Sequence, residues 1–216
     1  MAETIRLLHR EDILGLTRNS GPKIVLSDGI HLLNWGISRR TGDPWSHAMW
    51  QFWPGAEGLG LGKAEPAHER GPWVATQGVW YRKRPIDEYM VDGKGRELGV
   101  RLKFWYNPEW TAERHRIIRT AIAERLNDPW FKRFYDFPGV LVGQLLGLRF
   151  LQSSFRYYCS EDVGRVLRLV EPEFRMKWPS PGDINRWCRA NPQMVMYGIY
   201  DRDLERRFAR IQIQSA

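Results

Sequence analysis

Ser46-His47-Ala48-Met49-Trp50-Gln51-Phe52-Trp53 places His47, Met49 and Gln51 on one side of an extended chain and Ala48, Trp50 and Phe52 on the other. A period of two is that of a β-strand. The turn residues Thr41-Gly42-Asp43-Pro44 just before it fix where the strand begins, so it opens on a histidine. Upstream, Ile24-Val25-Leu26 is a short apolar run closed by Ser27-Asp28-Gly29, which predicts a buried strand entering a turn, and His31 to Arg40 predicts a short helix. Downstream, Pro54 to Pro72 is rich in Gly, Ala and Glu without a consistent period and is expected to be a loop insertion. Two further strands are expected, one from about Trp73 to Arg84 and one from Gly99 to Tyr106, joined as a hairpin around Asp92-Gly93-Lys94-Gly95.

Helical spacing then takes over. Asn107-Pro108-Glu109 resembles a helix start, followed by Ile117, Ile118, Ala121, Ile122 and Arg125, and Asn127-Asp128-Pro129 ends the segment. Val140 to Leu151 predicts a short buried helix. A third begins near Cys159, because Val163, Val166, Leu167 and Val170 fall at i, i+3, i+4 and i+7, and Pro172 closes it. Gly182-Asp183-Ile184 opens a turn or short helix, and Met194 to Tyr200 is a last strand. The fold class is α+β, an antiparallel sheet packed against helices with one loop insertion.

With 216 residues, 43% of them hydrophobic, one domain spanning 1–216 is expected, its core at about 23–200. The first ten residues carry Glu3, Arg6 and Arg10, so they lack the apolar stretch of a secretory signal, and no segment approaches a transmembrane span of roughly 20 residues. The expectation is a product that is cytoplasmic when made. Only Cys159 and Cys188 occur, too few for a disulfide scaffold. A net charge of +8 favours an anionic partner: nucleic acid, a membrane surface or a cell-wall polymer. Eleven tryptophans are available for a core or for a groove. Gly58-Leu59-Gly60-Leu61-Gly62 lacks the Lys-Ser/Thr of a phosphate loop, and scattered histidines with two distant cysteines make no metal motif, so neither cofactor nor metal is expected.

A nucleophilic cysteine needs thiolate character, which a helix N-terminus supplies through its dipole and free N–H groups. Cys159 stands at such a start, although Glu161 and Asp162 would oppose ionisation if they faced the sulfur. On these grounds alone a cysteine such as Cys159 is more often a small buried hydrophobe than a nucleophile, and a lone strand histidine such as His47 is usually structural. His9, His68 and His115 fall in segments where solvated roles are expected, as does the basic helix face of Arg114, Arg116, Arg119 and Arg125. Cys188, in Ile184-Asn185-Arg186-Trp187-Cys188, is expected to be buried and unreactive.

The run Lys23 to Trp50, above all Thr41-Gly42-Asp43-Pro44-Trp45-Ser46-His47-Ala48-Met49, resembles the segment carrying the catalytic histidine in circularly permuted NlpC-like proteins, a papain-like cysteine peptidase and amidase superfamily with a YiiX-like branch. Tyr157-Tyr158-Cys159-Ser160-Glu161-Asp162-Val163 is similar to their Cys-Ser-Glu-Leu helix start, and Tyr135-Asp136 and Ser180-Pro181-Gly182-Asp183 resemble weaker landmarks. The resemblance spans about Lys23 to Asp183, with the histidine strand ahead of the cysteine helix as in that permuted group. It implies a papain-like fold and a Cys159–His47 pair acting through an acyl-enzyme on an amide, ester or thioester. Relatives place a Glu, Asn, Gln or second His on the following strand to orient the histidine; here that slot holds Ala75 or a neighbour, which leaves Gln77 first and Thr76 next, while Tyr135 and Tyr158 are expected to be packed aromatics before donors near the site. Three functions fit: a peptidoglycan amidase or endopeptidase reaching its substrate from a phage particle or by lysis, a lipid-directed acyltransferase or thioesterase, and an inactive structural or binding protein of the same fold, possibly virion-associated.

Overall fold

The computed structural model describes residues 6–16, 21–28, 42–52, 72–77, 81–91, 98, 100–129, 133 and 159–204. Among them are β1 (Lys23–Asp28), β2 (His47–Phe52), β3 (Trp73–Gln77), β4 (Tyr81–Pro85), β5 (Arg101–Tyr106) and β6 (Val195–Asp201), joined in one antiparallel sheet of order β4-β3-β2-β1-β5-β6. The helices are α1 (Arg10–Leu14), α2 (Ala112–Asn127), α3 (Cys159–Val170) and α4 (Pro181–Ala190), with a 3-10 turn at Ile86–Tyr89. The architecture is α+β.

The middle strands are buried on both faces. Ile24 and Leu26 of β1, Ala48, Trp50 and Phe52 of β2 and Trp105 of β5 meet Ile118 and Ile122 of α2, Val163, Val166 and Leu167 of α3, and Ile184 and Cys188 of α4. The alternate residues Val25, Met49, Val74, Leu102 and Phe104 pack with Leu8, Ile13, Ile86 and Met90 on the other side. An antiparallel sheet covered on both faces shows apolar residues at nearly every position. That is why β1 reads as a run, whereas β2 keeps a visible period only through His47 and Gln51.

The expected strand over 73–84 is two strands: Gln77 pairs with Tyr81 and Trp73 with Pro85, so β3 and β4 are themselves a hairpin. The hairpin expected around Asp92-Gly95 is not formed, because β4 is the sheet edge and β5 lies between β1 and β6. Charge explains the placement: Arg82, Lys83 and Arg84 suit an edge, where they discourage pairing with another chain. α2 starts after Thr111, whose hydroxyl accepts from the Arg114 N–H, and not at Asn107. α4 is a full helix with a Ser180–Asp183 capping box and Pro181 in its first turn. Most of the predicted loop insertion, and all of the 31–40 and 140–151 helices, lie outside the described residues.

Arg125 is not on a solvated face. It is 2% exposed, its Nε lies 3.6 Å from Asp162 of α3, and its Nη1 donates to Asp128 at 2.9 Å. Arg165 of α3 lies 3.7 Å from the same carboxylate and donates to the Ala121 carbonyl of α2 at 3.2 Å, so α2 and α3 are tied by polar contacts as well as by apolar packing.

Candidate active site

Cys159 is the first residue of α3 and is 4% exposed. Val163, Val166, Leu167 and Val170 press one stripe of α3 against the sheet, mainly against β2. The opposite flank is seated on the segment after α3: the Ser160 hydroxyl donates to the Pro179 carbonyl at 2.7 Å, and a Cβ on Gly164 would fall 2.7 Å from Pro179 Cγ. Only glycine allows that approach. Held on both flanks, the start of α3 brings the Cys159 sulfur to the Ala48 backbone N–H at the beginning of β2.

His47 is the first residue of β2, paired opposite Ser27. Its approach is set by Gly42, at φ 65°, and by Asp43, whose Oδ1 accepts from the Trp45 N–H and whose Oδ2 accepts from Asn185 Nδ2 of α4 at 3.1 Å. A Cβ on Gly182 would lie 2.7 Å from the Asp43 Cβ. The segments Gly42-Asp43-Pro44 and Ser180-Pro181-Gly182-Asp183, distant in sequence, therefore meet and brace the histidine strand against the helical layer.

The His47 Nε2 lies 2.7 Å from the Thr76 Oγ1 of β3, and the Tyr89 hydroxyl donates to that same oxygen at 2.8 Å. The Tyr89 ring stacks on the imidazole, centroids 6.4 Å apart and planes 16° from parallel. Negative charge at Cys159 raises the Tyr89 phenol further, so the sulfur and this cluster are electrostatic neighbours. Sulfur and imidazole share no direct hydrogen bond.

Burial governs the ionisation of the group. It pushes the Cys159 thiol up to about 11, against the pull of the N–H groups of Ala48 and Ser160 and of the Ser160 hydroxyl. It lowers His47 to about 4 and raises Tyr89 to about 12. At neutral pH the resting pair is thiol and neutral imidazole, unlike the thiolate–imidazolium pairs of strongly activated cysteines. Asp162 faces Arg125 and Arg165, and burial raises its pKa while the two guanidinium groups pull it down.

Thr76 and Tyr89 are the groups around the imidazole. Thr76 stood second to Gln77 in the sequence reading; Gln77 ends β3 opposite Tyr81, and its side chain lies outside the described residues, as do Tyr135 and Tyr158. Tyr89 was not foreseen. It sits on a 3-10 turn with no periodic signal, and only the β3–β4 hairpin brings that turn back over Thr76. His9 caps α1 at the surface. His115 is half-buried edge-on to Trp110, away from the cluster, and Cys188 is fully buried with its thiol raised. No group of three or more His, Cys, Asp or Glu side chains suited to a metal occurs among the described residues, and none of their helices is long and apolar enough to cross a membrane.

No known family profile matches the chain, and no curated protein matches it in sequence. In structure it is similar to a crystal structure of the metalloprotein yiiX from Escherichia coli O157:H7, at 12% identity and a TM-score of 0.49, over 82% of this chain and 96% of that one.

Proposed function

We propose that the chain is a cysteine acyl-transfer enzyme of the permuted NlpC-like, papain-like kind, with Cys159 as nucleophile, His47 as base and Thr76 as the group that orients the base. The observation that carries this reading is the meeting of a helix-start sulfur with the Ala48 amide, one residue from a strand-start histidine whose Nε2 is already engaged by a hydroxyl. That engagement turns Nδ1 into the nitrogen free for the thiol. In the reaction, Cys159 gives its proton to Nδ1 as sulfur attacks the carbonyl carbon, the N–H groups at the start of α3 hold the oxyanion, and the imidazolium returns the proton to the leaving amine or alcohol. Water or another acceptor, deprotonated by the same nitrogen, then resolves the acyl-enzyme.

The +8 charge supports an anionic polymer as substrate carrier, and a peptide or amide bond of peptidoglycan is the first assignment. Incubation with purified peptidoglycan and with acyl-thioesters, wild type beside Cys159→Ala, tests it: soluble fragments released by wild type alone are expected. Thioester turnover without fragment release would move the assignment to an acyltransferase or thioesterase. A second reading, a binding protein that keeps the fold without catalysis, is favoured by the high thiol pKa and near-complete burial of Cys159. Wild type and Cys159→Ala equally inert on both substrates would establish it.

A further inference from the structure

The geometry points to Tyr89 as a positioning residue for His47: its phenol oxygen, reached through the Thr76 hydroxyl, is the terminal acceptor of a hydrogen-bond relay that supports the imidazolium. The inference rests on the Cys159–His47 reading and adds to it a group outside the strand that bears the orienting residue. Thr76 Oγ1 is bonded on one side by Nε2 and on the other by Tyr89. A threonine hydroxyl has one hydrogen and two lone pairs. Because Nδ1 is to take the thiol proton, the neutral ring carries its hydrogen on Nε2, so Thr76 Oγ1 accepts from Nε2–H and from the Tyr89 hydroxyl. When Nδ1 takes the Cys159 proton the ring becomes a cation, and the Nε2–H that already donates to Thr76 calls for a more electron-rich acceptor. Thr76 Oγ1 becomes one when it turns its own hydrogen onto the phenol oxygen 2.8 Å away. The hydroxyls rotate so that the order runs His47 to Thr76 to Tyr89. No proton leaves its oxygen, and the only proton transferred is the one from sulfur to Nδ1. A carboxylate or amide oxygen accepts without help; a hydroxyl in that slot needs a second acceptor behind it. The phenol, which burial keeps protonated, serves as that acceptor without competing for the proton.

Tyr89→Phe isolates the hydroxyl, because the ring that stacks on His47 is kept. The readouts are the pH dependence of Cys159 alkylation by iodoacetamide, resolved from Cys188 by peptide mass spectrometry, and the His47 titration followed by 15N NMR. Loss of a hydrogen bond supporting a charged group is expected to slow Cys159 alkylation at neutral pH about tenfold and to move the His47 titration to lower pH. Thr76→Val should match it, Thr76→Ser should stay near wild type, and the Thr76→Val/Tyr89→Phe pair should be no slower than Thr76→Val alone. Wild-type alkylation and an unmoved titration in Tyr89→Phe, or additive losses in the double variant, would overturn the relay. Cys159 alkylation indifferent to His47→Ala would instead sink the Cys–His reading, and the His47 titration would still decide the relay.

Discussion

His47 binds a proton weakly because β2, β3 and the Tyr89 ring wall it in while its one polar partner, Thr76, is neutral. That has a consequence for stability. The folded imidazole titrates at about 4 and the unfolded one near 6.5. Between those values the unfolded chain binds a proton that the folded chain does not, so stability falls as pH drops from 6.5 toward 4 and levels off below. Each pH unit in that window is worth up to about 1.4 kcal/mol, and because the ring is only partly buried about 1–3 kcal/mol in all is expected. Urea midpoints measured across pH 7 to 4 should show this loss, and His47→Gln should flatten it; an identical slope in the variant would mean that other groups carry it. At this scale the positions of Cys159 at a helix start and of His47 at a strand start were legible, because those boundaries leave marks in local sequence, whereas their pairing was only what the family resemblance implied. Thr76 was only second choice, and Tyr89 invisible, because what they touch depends on which strand positions face one another.

α3 is the element on which the site depends, and its apolar stripe at i, i+3, i+4 and i+7 made it readable before any coordinates. What the stripe does not reveal is the other flank. Gly164 looks like a weak point in a helix, yet it is where Pro179 and Phe174 close in, 2.7 and 3.2 Å from where a Cβ would stand. Gly164→Ala gains helix propensity but must push α3 off that segment, and a net loss of about 1–3 kcal/mol is expected. A thermal melt equal to or above wild type would show that the segment yields freely. The link from α2 to α3 behaves differently. Arg125→Ala leaves Arg165 as the one guanidinium beside the buried Asp162 carboxylate and should cost about 3–5 kcal/mol, whereas Arg125→Met with Asp162→Leu, which removes this ion pair and keeps the volume, should be close to neutral. Denaturant unfolding of the two variants separates ion-pair need from packing need. The division of 73–84 into β3 and β4 escaped the sequence reading because Gly78 was the sole turn residue inside an otherwise extended run, and a glycine inside a strand is tolerated.

Across the whole molecule the sheet carries two cores, and the site lies where the start of β2 meets the start of α3. Nothing local in the sequence sets that meeting. It depends on α2, α3 and α4 covering one face while Leu8, Ile13, Ile86 and Met90 cover the other, so that neither face of β1 and β2 is free to rotate toward water. Two stretches that the family resemblance marked, the one leading into His47 and the weaker landmark Ser180-Pro181-Gly182-Asp183, prove to be in contact at Asp43 and Gly182. Asn185 bridges them: its Nδ2 donates to Asp43, and its Oδ1 accepts from the Trp105 indole of β5 at 3.3 Å. The loop that leads into the histidine strand is thus bonded to α4 and, through it, to β5 beyond β1 on the same face of the sheet. Asp43→Ala and Asn185→Ala should each cost about 1–2 kcal/mol, and because each removes the same bond, the double variant should fall short of the sum by about 1 kcal/mol. If the brace also holds His47 in place, Asp43→Ala should slow Cys159 alkylation in the same proportion as Asn185→Ala, although neither side chain touches the sulfur. Additive stabilities with unchanged alkylation would reduce the contact to local loop packing.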